Sequence, residues 1–170
     1  MITYASLNTP IGRLLIAKTP HGVCKINLPS KTDGSFFQWI VDHFPEEGVI
    51  EDRDSLREER NELQEYFDGE RRTFTLPLDL KTTQFREKTL HQVAKIPFGK
   101  TASYKEIAEQ INNAKAVRAV GSANGSNPLP IVIPCHRVIA HDGTLGGYGG
   151  GLSMKNWLLE HEGCHLPHSD

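Results

Sequence analysis

At 170 residues, with 38% hydrophobic and 24% charged residues, the chain is long enough for one ordinary core or two small ones, and no apolar run approaches the ~20 residues of a spanning helix. A formal net charge of -2 excludes a polyanion binder that works by bulk charge, yet residues 1–83 carry 10 Lys/Arg against 14 Asp/Glu while residues 84–170 carry 9 against 7, so a polyanion would favour the second half. Three cysteines, Cys24, Cys135 and Cys164, fit no disulfide framework, and without a signal-like N-terminus they point to free thiols in a reducing, cytoplasmic setting.

The first thirty residues alternate apolar segments, Ile2 to Leu7, Arg13 to Ala17 and Val23 to Leu28, with the breaks Thr9-Pro10-Ile11-Gly12 and Pro20-His21-Gly22. That pattern predicts three antiparallel strands joined by tight turns. A helix is predicted over Phe36 to Phe44, ended by Pro45, and an acidic loop follows. Leu56, Leu63, Tyr66 and Phe67 recur at helical spacing up to Asp68-Gly69, where Gly supplies a stop. Phe74, Leu76, Leu78 and Leu80 alternate with polar residues and Pro77, which suggests an extended segment or edge strand leading out of a first domain.

From Thr82 the texture becomes helical. Thr83 is placed to cap a helix through Phe85, Leu90 and Val93, and Ser103-Tyr104-Lys105-Glu106 is a capping box that opens a helix with Ile107, Ala108 and Ile111 inward. After Asn112-Asn113 a second helix, Lys115 to Ala123, is built of Ala, Val and Gly around Arg118. Helix, short turn and small-residue helix match a DNA-binding helix-turn-helix, although paired short helices also occur in plain helical cores.

The run Asn127-Pro128-Leu129-Pro130-Ile131-Val132-Ile133-Pro134 is apolar and fenced by prolines, which predicts a straight, buried arm delivering Cys135. A free thiol has a pKa near 8.5, and lowering it by about 1.5 units requires roughly 2 kcal/mol of preferential stabilisation of the anion. His136 is adjacent, and Glu162 stands at the end of a last helix that Ser153 is placed to cap and Gly163 to stop. Cys135, His136 and Glu162 therefore form a candidate nucleophile relay. Two other readings are a thiol that is merely a small buried hydrophobe and a cysteine hydrolase using Cys135, His136 and Asn127. Neighbouring Cys and His seldom serve as an independently positioned pair, which disfavours the hydrolase.

Asp142-Gly143 reads as a turn, and Gly146-Gly147-Tyr148-Gly149-Gly150-Gly151 lacks the spacing of a dinucleotide fingerprint. It fits a lid, a close approach of backbone to a ligand, or a plain surface loop. His161-Glu162-Gly163-Cys164-His165 spells a zinc-protease pattern, but that pattern needs a continuous helix and Gly163 interrupts it. No cofactor motif is present.

The stretch Ile133-Pro134-Cys135-His136-Arg137-Val138 resembles the active-site signature of the O6-alkylguanine-DNA alkyltransferases, also called methylated-DNA–protein-cysteine methyltransferases. Ser103-Tyr104, Arg118-Ala119-Val120-Gly121, Asn127-Pro128, Gly147-Tyr148 and Trp157-Leu158-Leu159-Glu160-His161-Glu162-Gly163 resemble family landmarks in matching order. The likeness covers the second half and, in the first, mainly Thr9-Pro10-Ile11-Gly12 and its flanking strands. It implies an α/β fold: a small N-terminal antiparallel-sheet-plus-helix domain, residues 1–80, then an all-α C-terminal domain with a helix-turn-helix, residues 81–170. The implied activity is DNA repair by irreversible, stoichiometric transfer of an alkyl group from a flipped O6-alkylguanine in duplex DNA to Cys135, with O4-alkylthymine a candidate second substrate.

The resemblance further implies roles for individual residues. Cys135 is the acceptor, His136 its base through a water, and Glu162 the group that polarises His136. Asn127 braces the turn, Tyr104 hydrogen-bonds or protonates the departing guanine, and Lys155 supports that region. Arg118 replaces the extruded base, with Ala119, Gly121, Ser122 and Arg137 against DNA. Tyr104, Pro130, Val138, Tyr148, Gly149 and Gly150 line the base pocket. The expected partner is duplex DNA carrying alkylated bases, bound by a monomer without membrane or cofactor. Many relatives have Ser where this chain has Gly149. Some hold a structural zinc in the first domain, but here Cys24 has only His21 nearby and no metal is expected. The competing class is a noncatalytic lesion binder of the same fold, against which Cys135 argues.

Overall fold

Strands β1 (Ile2–Thr9), β2 (Gly12–Thr19) and β3 (Gly22–Asn27) form an antiparallel meander. Each turn is closed by a threonine at the strand end. Thr9 Oγ1 accepts the Ile11 N–H at 3.2 Å, and Thr19 Oγ1 accepts the His21 N–H at 3.1 Å while donating to Asp79 at 2.6 Å. These are two of the computed structural model's described residues, 1–164, which fall into two compact units, one of Met1–Lys81 and one beginning at Thr82.

The acidic segment expected as a loop holds a short fourth strand, β4 (Val49–Glu51), parallel to β1, so the sheet order is β3-β2-β1-β4. A three-residue strand offers too little alternation to be read in advance. Helix α1 (Asp33–His43) begins at Thr32, whose side chain accepts the Ser35 N–H, and seals a core of Ile2, Leu15, Ala17, Cys24, Phe36 and Ile40. Burying a side chain such as Phe36 contributes about 1.5–3 kcal/mol. Helix α2 (Arg57–Phe67) buries Leu63, Tyr66 and Phe67 and ends where Gly69 takes φ +79°. Of the two forms expected over residues 73–80, the chain takes the extended segment, with a bridge at Leu78 parallel to Val23. Pro77 cannot donate, but its carbonyl accepts the Val23 N–H at 2.9 Å. A Cβ at Gly22 would stand 2.5 Å from that carbonyl oxygen, so this contact requires glycine.

In the second unit, α3 (Gln84–Val93) starts at Thr83, whose side chain accepts the Arg86 N–H. Helix α4 (Tyr104–Gln110) starts at Ser103, which accepts the Glu106 N–H at 3.0 Å. Asn112, at φ 59°, and Asn113 make the turn to α5 (Val117–Gly125), which packs on α3 and α4 through Val120 and Ala123. The helix starts two residues later than expected, since Ala116 stands outside the helical region at φ -89° and ψ 27° and its N–H closes a turn on Asn113. The unit is not purely helical: β5 (Ala102–Ser103) and β6 (Val138–Ile139) pair in parallel. Helix α6 (Leu152–His161) is preceded by Gly151 at φ 97°, and Ser153, expected as its cap, is exposed inside the first turn. Among the described residues no helix is long and apolar enough to cross a membrane.

Candidate active site

The segment before Cys135 is buried, as its composition requires, but it is not a straight arm. The Ile133 N–H returns to Leu129 O at 2.8 Å, and Ile131 sits at φ 74°, a left-handed conformation that costs a β-branched residue about 1–3 kcal/mol. Asn127 holds this turn closed: its Oδ1 accepts the Leu129 N–H at 2.9 Å and its Nδ2 donates to Ile133 O at 2.9 Å. Prolines at 128, 130 and 134 restrict the chain locally without dictating a straight path. The turn ends in a 3-10 segment, Cys135–Arg137, with Cys135 only 5% exposed.

His136, fully buried, and Glu162, at the C-cap of α6, meet at 2.7 Å between Nε2 and Oε2. Burial pushes the Glu162 carboxyl up, but hydrogen bonds from His136 and Arg137 and their charges outweigh it and bring it down to about 2. An ionised carboxylate only accepts, so Nε2 carries the imidazole proton and Nδ1 keeps a lone pair. Nδ1 is buried without a hydrogen-bond partner among the described residues, one position along the chain from the thiol. Burial raises the Cys135 pKa, opposed by Asn127, the Lys155 charge, its own backbone and Tyr148, while burial lowers that of His136. At rest these two sequence neighbours are therefore a neutral thiol and a neutral imidazole.

Arg137 is corrected. Expected against DNA, it is 6% exposed and faces inward: Nε and Nη2 donate to the Glu162 carboxylate at 2.7 and 3.1 Å, and Nη1 donates to Ile96 O at 2.7 Å. Its charge lies over the Phe98 ring at 5.7 Å. A bidentate guanidinium suits a buried carboxylate, and its burial keeps it from a phosphate at the surface. Glu162 is thus committed to two partners. His161 ends α6 and Gly163 takes φ 78°, while His165 of the zinc-like pattern lies outside the described residues.

Lys155 is fully buried and donates to Val138 O at 2.6 Å and Gly147 O at 3.0 Å, with its pKa lowered to about 8 by burial. Tyr104, the first residue of α4, donates to the same Gly147 carbonyl at 3.4 Å, and burial keeps its phenol protonated. Gly146, at φ 71°, lets the loop lie on that ring, since a Cβ there would stand 3.0 Å from the Tyr104 hydroxyl. The Tyr148 hydroxyl is buried and faces the Cys135 thiol, and burial first and that neighbour second hold its phenol protonated. Pro130 bridges to Ile133 and is buried, Gly150 is half-buried, and Gly149 has room for a side chain, with Gly125 O nearest at 3.8 Å. Sequence reasoning missed the Arg137 clamp and the Asn124 amide, which donates to Cys135 O at 3.0 Å. The signal for Asn124 is its place three residues before Asn127, at the end of the same helix.

Arg118, Ala119 and Ser122 are exposed on α5, and Gly121 is half-buried against Tyr104. One long cation on a surface of small residues lets a backbone come close to a partner's groove, while Val120 and Ala123 fix the opposite side in the core.

Comparison with known proteins places these features in a family. Residues 2–80 match the family model described as 6-O-methylguanine DNA methyltransferase, ribonuclease-like domain, and residues 84–164 match 6-O-methylguanine DNA methyltransferase, DNA binding domain. The inducible methylated-DNA--protein-cysteine methyltransferase of Bacillus subtilis is 42% identical over 147 residues, 86% of this chain and 82% of that one. The methylated-DNA--protein-cysteine methyltransferase of Mycobacterium bovis is 40% identical over 175 residues, 98% of this chain and 96% of that one. The crystal structure of Mycobacterium tuberculosis OGT in complex with DNA superposes with a TM-score of 0.83 at 37% identity, covering 94% of this chain and 92% of that one.

Proposed function

The chain belongs to the 6-O-methylguanine DNA methyltransferase family, and from that premise we propose that Cys135 is the residue that accepts the alkyl group. The protein repairs duplex DNA by moving an alkyl group directly from O6-alkylguanine onto its own cysteine, after the base leaves the stack. Extrusion costs a few kcal/mol, less for a damaged and poorly paired base. Arg118, exposed on α5, fills the gap, with Ala119, Gly121 and Ser122 letting the helix seat closely.

The Cys135 proton passes through a water to His136 Nδ1, and the imidazolium formed is held by Glu162. Arg137 keeps that carboxylate ionised and aimed, as a positioning residue. The thiolate forms the new S–C bond as the C–O6 bond breaks, and the electron pair departs onto the guanine ring. Tyr104, protonated at the edge of the loop, donates to that ring and makes it a better leaving group. Lys155 holds the Val138 carbonyl and the loop at Gly147, and Asn127 holds the turn. Pro130, Val138, Tyr148, Gly149 and Gly150 surround the base. The thioether product is stable, so each molecule acts once.

The observation that carries this reading is the buried His136–Glu162 pair, which leaves the second imidazole nitrogen, on the residue that follows Cys135, without a hydrogen-bond partner among the described residues. Intact mass and peptide mapping after incubation with an O6-methylguanine duplex test it. One methyl is expected on Cys135, and Cys135→Ala abolishes transfer while keeping DNA binding. Binding without any transfer would favour a noncatalytic lesion binder, and label on Cys24 or Cys164 would overturn the acceptor assignment.

A further inference from the structure

Asn124 lies in the last turn of α5 and is 4% exposed. Its Nδ2 donates to the carbonyl oxygen of Cys135 at 3.0 Å. The same oxygen accepts the Val138 N–H that closes the 3-10 segment. Three residues later, Asn127 donates to Ile133 O at 2.9 Å. Two amides from one short stretch thus grip the backbone immediately before the nucleophile and at the nucleophile itself.

The orientation of the Asn124 amide is dictated by this bond, because turning it over would set Oδ1 against the Cys135 carbonyl. Its Oδ1 is buried with no hydrogen-bond partner among the described residues. An unpaired buried acceptor is a net cost to the fold, and leucine, branched at the same atom though bulkier, would remove it. An asparagine here therefore contributes little to packing, and what it supplies is the donor to Cys135.

We propose that Asn124 is a positioning residue for alkyl transfer, fixing the Cys135 backbone from the helix that carries Arg118. The proposal rests on the reading that Cys135 is the acceptor and α5 the DNA-contacting helix. Seating α5 and aiming the sulfur then become one rigid act, since both are set by the same helix. In-line displacement tolerates little error, and a shift of the 3-10 segment by under about 1 Å moves Sγ off the line of attack.

The test is single-turnover transfer at saturating O6-methylguanine duplex, with duplex affinity, melting temperature and the rate on free O6-benzylguanine measured beside it. For Asn124→Leu we expect the maximal rate to fall roughly tenfold on both substrates, because sulfur aim is needed whatever delivers the base. Duplex affinity stays within about twofold, and the rate loss persists when referred to folded protein and recurs in Asn124→Ala, which separates positioning from a packing role. Asn124→Asp, which turns an acceptor toward the Cys135 carbonyl, loses more rate than Asn124→Leu. Asn124→Ala serves the same purpose if Asn124→Leu does not fold. A maximal rate within about twofold of wild type in the folded variant, or a loss confined to duplex affinity, overturns the proposal while the Cys135 assignment stands. Wild-type label on a cysteine other than Cys135 overturns both.

Discussion

The two units bury polar groups on opposite terms. In the first, Glu59 and Glu62 are buried but reach partners at the rim: Glu59 meets Lys18 at 3.4 Å, and Glu62 accepts from Thr75 and meets Arg71 at 3.5 Å. Apart from Thr19, Asn27 and the Cys24 thiol, the rest of that interior is aliphatic and aromatic. In the second, His136, Arg137, Lys155 and Glu162, none more than 6% exposed, are gathered near one thiol. Well-packed apolar residues would fill such a space at lower desolvation cost. The first unit is thus arranged for stability, and the second carries ionisable groups whose retention makes sense only through chemistry.

The sharpest way to break that contrast is Glu162→Gln. It leaves Arg137 buried without a counter-charge and should cost about 3–5 kcal/mol in denaturant unfolding. It should also slow transfer roughly a hundredfold per folded molecule, because His136 loses the carboxylate that holds its proton. The acid limb reports the same group. The Glu162 pKa is lowered in the folded state from 4.5 to about 2, so its contribution is present above pH 4.5 and is lost as pH falls through 2. Stability measured across that window should fall more steeply for the wild type than for Glu162→Gln.

Arg118→Ala comes next, with duplex binding and repair reduced roughly tenfold or more and reaction with the free modified base changed by less than about twofold. Equal losses on both substrates would remove the assigned DNA role. On the other side of the comparison, Ile40→Ala in the first unit should cost about 2–5 kcal/mol by leaving a cavity, with transfer per folded molecule unchanged. Any slowing there would show that the first unit's core also sets the chemistry. The smallest effects separate two helix starts. Thr83→Ala should cost about 1 kcal/mol, as the loss of a true cap, and Ser153→Ala less than about 0.5 kcal/mol, both read as melting shifts.

Legibility followed the range of the determining interactions. The meander, the Thr83 and Ser103 caps and the Gly69 stop are local, and periodicity and turn chemistry reveal them. Cys135, His136 and Glu162 were legible from residue type and family likeness, and the structure brings His136 and Glu162 to 2.7 Å. Arg137 was misread because exposure cannot be read from a cationic side chain beside an active-site signature. Its partners, Ile96 O and Glu162, are 41 and 25 residues away. β4 was hidden because its pairing with β1 is long-range. The closed turn before Cys135 was hidden because it depends on the Asn127 side chain and on Ile131 adopting a conformation its type disfavours.

The Gly146–Gly151 loop separates Cys135 from Glu162 along the chain, with Gly146 and Gly151 at φ 71° and 97°. A single cut there would place sulfur and carboxylate on different fragments, clasped across the break by the His136–Glu162 and Arg137–Glu162 bonds. Alkyl capture by such a nicked molecule would then require both pieces in place, which makes the labelling reaction itself a gauge of fragment reassembly.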